Sequence, residues 1–230
     1  MRSGQDPAVK YSFSGHETFP FRYTWLPKGV VHLLEHHDLF TKEDALVTLG
    51  VGKNMVRSIR HWCTASGVIE RVDHKGHVRV TDLGLSLFGE EGWDPFLEDS
   101  GTLWLLHWRL VSRPGPASTW HLAFTRWNAD RFGRDELVAW LLGLARSVSG
   151  RQPTPASLRR DVDVFIRTYA PSLAKRERPL EDTFDCPLVE LGLLMEVERG
   201  VYRFARGPKP TGRRHDRCRL RTAGGCFLRR

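Results

Sequence analysis

The sequence predicts a mainly α protein with small β-hairpin wings: a winged helix-turn-helix, then a helical domain, then a second wing-like element. Three observations predict it. Residues 53–66 alternate apolar and basic positions at helical spacing between a glycine turn and a hairpin pattern. Residues 99–170 carry helical periodicity broken by proline and glycine, and residues 192–204 echo the first hairpin.

Met1 to Tyr11 have no apolar period, so a flexible arm is expected over 1–12. Trp25, Leu26, Val30, Leu33 and Leu34 recur at helical spacing, with Pro27 tolerated in a first turn, which predicts a helix from Trp25 to His36. Thr41-Lys-Glu-Asp44 reads as a capping-box-like start, with Asp44 in place of the usual Glu. It would open a short helix through Ala45, Leu46 and Leu49 that Gly50 stops. After Gly50-Val-Gly52, the residues Met55, Val56, Ile59, Trp62 and Cys63 form one stripe, while Lys53, Asn54, Arg57, Ser58, Arg60 and His61 fall largely off it. Val68-Ile69 leads through Asp73-His-Lys-Gly76 to Val78-Arg-Val80, a hairpin with its tip at Lys75-Gly76. Thr81 then begins a helix expected beneath this wing. Helix, short helix, glycine turn, helix and hairpin in that order predict a winged helix-turn-helix domain over 13–98.

Further helices are expected near Thr102–Val111, Thr119–Trp127, Asp135–Val148 and Pro155–Tyr169, punctuated by 112–116 and 150–155. All eight tryptophans lie between Trp25 and Trp140, so this layer and the first domain are expected to share an aromatic core. Gly192 to Phe204 repeats the pattern of Gly67 to Val80, with its helix expected at Asp185–Leu191, and completes a helical domain with a wing-like hairpin over 99–209. From 210 to 230 the period is lost, and a disordered basic tail is expected.

Composition narrows the classes. With 40% apolar and 27% charged residues, the 230-residue chain is not a disordered polymer. The longest nearly unbroken apolar run, Val138 to Ala145, is far short of the roughly 20 residues a bilayer span needs. No apolar segment follows Met1, so neither membrane insertion nor export is expected. Cys63, Cys186, Cys218 and Cys226 show no paired spacing, which fits a reducing, cytoplasmic setting. The net charge is +8, but residues 206–230 hold nine Lys/Arg against Asp216 alone, so the rest of the chain sums to zero. Affinity of the folded body for nucleic acid would have to come from a local patch.

The strongest candidate patch is 50–66. Lys53, Asn54, Arg57, Ser58, Arg60 and His61 supply donors for phosphates, and Arg57 and Asn54 supply bidentate base contacts. An ordinary solvated face, or one for protein contacts, stands beside that reading. Gly50-Val-Gly-Lys-Asn54 is not a nucleotide-hydrolysing phosphate loop, because Val47 replaces the first glycine and Asn54 the hydroxyl. Its amides suit a DNA phosphate nonetheless. Ser14-Gly-His-Glu-Thr-Phe-Pro-Phe-Arg22 concentrates polar groups, with His16 and Glu17 as an acid/base or metal pair and Arg22 as a phosphate holder. The residues alone favour a plainer alternative, in which Glu17 and Thr18 cap the start of the domain while Phe19 and Phe21 dock on the core. Asp161 and Asp163 lie two apart on a helix and do not share a face. Asp73-His-Lys75 reads as a solvated wing tip. Zinc and acyl-transfer signatures are absent, and no structural zinc is expected on His215, Cys218 and Cys226.

Ser14 to Gly29 and Leu49 to Trp62 resemble the SspB-like DNA nickase family of bacterial DNA phosphorothioation and phage-defence loci, formerly a domain of unknown function. Asp99–Trp108, Asp185–Leu194 and Tyr202–Lys209 extend the resemblance over roughly Phe13 to Lys209. The resemblance implies a DNA-nicking component of a single-stranded DNA phosphorothioation system. Mg²⁺ or Mn²⁺ would assist phosphodiester hydrolysis. It implies as partners DNA, a cysteine desulfurase, a phosphoadenylylsulfate-reductase-like protein and an ATPase. No catalytic residue carries over from the family; His16 and Glu17 are candidates on the polar density of their motif. DNA contacts are expected from Arg22, Lys53, Asn54, Arg57, Ser58, Arg60, His61 and Lys75. The family also implies a longer folded C-terminal region, so the sequence beyond Lys209 reads as a truncated or frameshifted end whose charge is accidental. The alternative function is a non-enzymatic winged-helix DNA-binding adaptor or transcriptional regulator.

Overall fold

The computed structural model describes residues 11–42, 44–146, 152–170 and 186–205. Helix α1 (Trp25–Glu35) buries Trp25, Leu26, Val30 and Leu33, the residues whose spacing predicts it. Helix α2 (Ala45–Leu49) ends at Gly50, whose φ of 61° is the left-handed cap that glycine adopts without strain. Thr41 does not cap α2. Its Oγ1 donates back to the Asp38 carbonyl at 2.8 Å, and Lys42 pairs with Asp38, so this turn closes on itself and α2 starts four residues later. Helix α3 (Lys53–Ser66) buries Ile59, Trp62 and Cys63. Strands β1 (Ile69–Arg71) and β2 (Val78–Val80) pair antiparallel with Ile69 opposite Val80. Helix α4 (Asp82–Phe88) follows, its N-terminus capped by the Thr81 hydroxyl, which accepts from the Gly84 amide.

The second half is helical as its periodicity predicts: α5 (Ser100–Ser112), α6 (Ser118–Thr125), α7 (Arg134–Arg146) and α8 (Pro155–Tyr169). Two features depart from the prediction. Strand β3 (Arg131–Gly133), too short to show a period, pairs with the far edge of β5 (Val201–Phe204), whose other edge takes β4 (Leu194–Glu198). The hairpin at 194–204 is therefore part of a three-stranded sheet ordered β3-β5-β4 and not a free second wing. The helix expected over 185–191 is a 3-10 turn over Pro187–Leu191, with residue 185 outside the described residues. The 1–10 part of the expected arm and the 210–230 tail, with His215, Cys218 and Cys226, also lie outside them. Ser12, inside the expected arm, is held: its amide donates to Ser118 Oγ at 2.7 Å.

One continuous cluster of buried side chains runs from Phe21 to Tyr202 through both halves. The joint is aromatic. Trp62 of α3 meets Trp120 of α6 edge-to-face at 5.2 Å, Trp120 meets Phe165 of α8 at 5.8 Å, and Phe165 reaches Phe204 at 6.5 Å. Not every tryptophan joins it, since Trp93, Trp104 and Trp108 are exposed. Cys63 and Cys186 are buried and form no disulfide among the described residues. Among the described residues no helix is long and apolar enough to cross a membrane.

Candidate functional site

Helix α3 turns three faces to three surroundings. Ile59, Trp62, Cys63 and Ser66 enter the core. Lys53, Asn54 and Arg57 are exposed along its N-terminal half. Arg57, Arg60, His61 and Thr64, at i, i+3, i+4 and i+7, form one strip that floors a groove of about 560 Å³. Its walls are residues 11–12 and Glu17 on one side, Arg71 at the end of β1, and the turn at 115–116.

Ser58 departs from its expected place on the solvent side. It is fully buried, and its hydroxyl donates to the His16 carbonyl at 3.0 Å. His61 is likewise half-covered. Its Nε2 is buried without a hydrogen-bond partner, and burial, with the neighbouring His16, pushes its pKa down to about 3, so the ring is neutral. Both changes have one cause, because the Ser14–Thr18 segment lies across this side of α3. Gly15 makes the close approach: a Cβ there would overlap the His61 ring.

That segment is strained and heavily tied. Ser14, Glu17 and Thr18 have φ of 67°, 48° and 69°, a left-handed conformation that costs a side-chain-bearing residue about 1–2 kcal/mol. Asp161 of α8 offsets this. Its Oδ1 accepts from the Ser14 amide at 2.8 Å and pairs with His16 Nε2 at 2.6 Å, and its Oδ2 accepts from the Thr119 hydroxyl. The Thr18 amide donates to His16 Nδ1 at 3.1 Å, which makes that nitrogen the acceptor and leaves the proton on Nε2, facing Asp161. Trp62 Nε1 donates to the Phe19 carbonyl at 2.9 Å and Arg167 to the Thr18 carbonyl at 2.6 Å.

His16, at 1% exposure with both nitrogens engaged, is thus an internal tie and not a surface acid or base. Glu17 stays half-buried at the groove, 3.9 Å from Arg57. Phe21 enters the core and Phe19 packs against it, as the plainer reading has it. Glu17 and Thr18 cap no helix, since α1 begins only at Trp25. Asp161 is the residue that sequence reasoning missed. A signal for it exists: it interrupts the Leu158, Val162, Phe165, Tyr169 stripe of α8, and a carboxylate on a core stripe needs donors waiting for it.

The wing is coupled to α3. Arg60 donates to the Gly76 carbonyl at 2.7 Å, and its pKa is lowered by burial and then by the adjacent Arg71 charge. Asp73 Oδ1 accepts the amides of Lys75, Gly76 and His77, and Oδ2 meets His77 Nδ1 at 2.6 Å, so the tip is a tightly bonded turn with Lys75 exposed on it. The His77 ring holds the Asp73 carboxyl below its usual range. Arg22 lies over the Trp25 ring, 5.6 Å from its centroid, and does not line the groove. Asp163 faces away from Asp161 and pairs with Arg134 at 2.6 Å. The chemistry of the groove suits an anion: it sets guanidinium groups around a concavity, in a body whose charges sum to zero over residues 1–205.

Residues 13–213 match the model of a family described as a protein of unknown function, DUF4007. The chain is similar to the crystal structure of SspB at 32% identity with a TM-score of 0.77, and to that of magnesium-ion-bound SspB at 33% with a TM-score of 0.79. Each match covers 88% of this chain and 62% of the SspB chain, so the chain spans less than two thirds of those relatives' length. No curated protein matches it. A magnesium site needs several oxygen ligands. Among the described residues no three His, Cys, Asp or Glu gather for a metal, Asp161 is filled by three donors, and Glu17 faces Arg57, so these residues do not fit a magnesium centre.

Proposed function

Because the chain belongs to the DUF4007 family and folds like SspB over most of its length, we propose that it is a DNA-binding component of a bacterial DNA phosphorothioation and phage-defence system. In this reading α2, the Gly50–Gly52 turn, α3 and the β1–β2 hairpin act as a winged helix-turn-helix. α3 lies in the major groove, and Lys75 on the wing reaches a phosphate. One observation carries it. Arg60 fastens the wing tip to α3, so Lys53, Asn54 and Arg57 and the wing are presented as one rigid surface, with the cations of the groove beside them.

Fluorescence anisotropy with duplex DNA over a range of salt tests this. The double variant Arg57→Ala/Arg60→Ala is expected to bind at least about tenfold more weakly, with a shallower salt slope. Unchanged affinity and slope would overturn the reading.

Nicking is the second reading, favoured by the likeness to SspB, one of whose structures holds magnesium. Here the protein would open one strand for partners of the same system: a cysteine desulfurase, a phosphoadenylylsulfate-reductase-like protein and an ATPase. Conversion of supercoiled plasmid to open circle in Mg²⁺ or Mn²⁺ is the measurement. Binding without conversion reduces the function to that of an adaptor or transcriptional regulator.

A further inference from the structure

The groove beside α3 gathers more positive charge than its surroundings. Arg57, Arg60 and Arg71 line it, and Glu17 is the one carboxylate among the described lining residues, offsetting at most Arg57. The Arg71 guanidinium has no hydrogen-bond or ion-pair partner among the described residues, and its charge disfavours that of Arg60. Like charges held around one concavity are destabilising until an anion joins them, even in a body whose charges sum to zero. His61, neutral, lines the groove without adding charge. A volume of about 560 Å³ exceeds what a flat phosphate contact needs and lies in the range of small-ligand sites.

We propose that this groove seats a single phosphate group, clamped by Arg57, Arg60 and Arg71. The shared chemistry is that of an internal phosphodiester and of a terminal phosphate, and the assignment to nucleic acid rests on the DNA-binding reading. Guanidinium pairs recognise phosphate oxygens through parallel N–H donors, which Lys53 on the open face of α3 does not reproduce.

The test uses the full chain, titrated calorimetrically with inorganic phosphate, with a short single-stranded oligonucleotide carrying a 5′-phosphate and with the same oligonucleotide carrying a 5′-hydroxyl. Duplex binding is followed in parallel by anisotropy. Arg71 is exposed, so Arg71→Gln should fold, which a thermal melt checks; Arg126→Gln makes the same charge change away from the groove. Expected is phosphate binding by the wild type, weakened about tenfold or more by Arg71→Gln and unaltered by Arg126→Gln, with the duplex salt slope falling by about one in Arg71→Gln alone. Tighter binding of the 5′-phosphate form assigns a terminal phosphate, and equal binding an internal one. Absence of phosphate binding, or equal binding by wild type and Arg71→Gln, overturns the proposal. If duplex affinity survives that result, DNA binding stands without the pocket. Phosphate binding with no duplex binding overturns the DNA reading and leaves the pocket.

Discussion

Asp161 shows how much one buried side chain can hold. It is 2% exposed, and its carboxylate is the acceptor for three donors from two other segments. Removing it strands a backbone amide, an imidazole N–H and a hydroxyl away from water, so Asp161→Ala is expected to lower the free energy of unfolding by about 3 kcal/mol or more. Asp161→Asn, which keeps one acceptor, should lower it less. Urea denaturation of both variants checks this, and equal losses would mean that the carboxylate is not the organiser of the Ser14–Thr18 loop. Two histidines give a pH signature. Burial holds His107, bonded through Nδ1 to the Tyr169 hydroxyl, at a pKa of about 4, and burial with the His16 neighbour holds His61 at about 3. Both lie below the unfolded value near 6.5. The unfolded chain therefore takes up protons that the folded chain refuses, and stability that is full above pH 6.5 is lost as the pH falls from there toward 4 and 3. Each ring contributes a slope of about 1.4 kcal/mol per pH unit within its window. His61→Gln should reduce the measured slope by one proton between about pH 6 and 4; an unchanged slope would show that His61 is protonated in the folded state.

At the scale of elements, the start of α4 is tightly packed against the 67–68 segment that follows α3. Thr81 accepts from the Gly84 amide and donates to the Gly67 carbonyl at 2.8 Å, so it caps α4 and pins it to the end of α3 at once. Thr81→Ala is expected to destabilise by about 1–2 kcal/mol, near the upper end for a lost cap. Gly84→Ala should be worse, because a Cβ there would overlap the Val68 carbonyl, a backbone atom that cannot rotate away. Thermal melts order the two, and a Gly84→Ala protein as stable as the wild type would mean that α4 moves freely under the wing. The wing itself depends on Arg60. In Arg60→Gln, amide exchange at Gly76 and His77 should quicken while the α5–α8 amides keep their protection, since only the tie to the Gly76 carbonyl is cut.

Across the whole molecule, the Trp62–Trp120–Phe165–Phe204 chain of rings predicts that the two halves unfold together. Tryptophan fluorescence and far-ultraviolet circular dichroism should trace one coincident urea transition, and two separated transitions would show that the aromatic joint does not couple them. Charge belongs to this scale too. A chain ending at residue 205 carries no net charge, yet it is expected to keep the groove's contribution to the salt slope of DNA binding; loss of all affinity would place binding in 206–230. Most of the elements were legible from the sequence alone. Glycines at 52 and 67 bound α3, the Ile59, Trp62, Cys63 stripe orients it, and the Asp73–Gly76 tip fixes the hairpin, because helical period and turn chemistry act between residues a few positions apart. Tertiary structure alone decided the rest. It closed His16 onto Asp161 across 145 positions, covered Ser58 and half of His61 with a strained loop, drew β3 to β5, and set Arg71 beside Arg57 and Arg60. These contacts join segments whose local patterns are independent of one another, so nothing in either segment announces its partner; only the packing of the common core brings them within hydrogen-bonding and Coulombic reach.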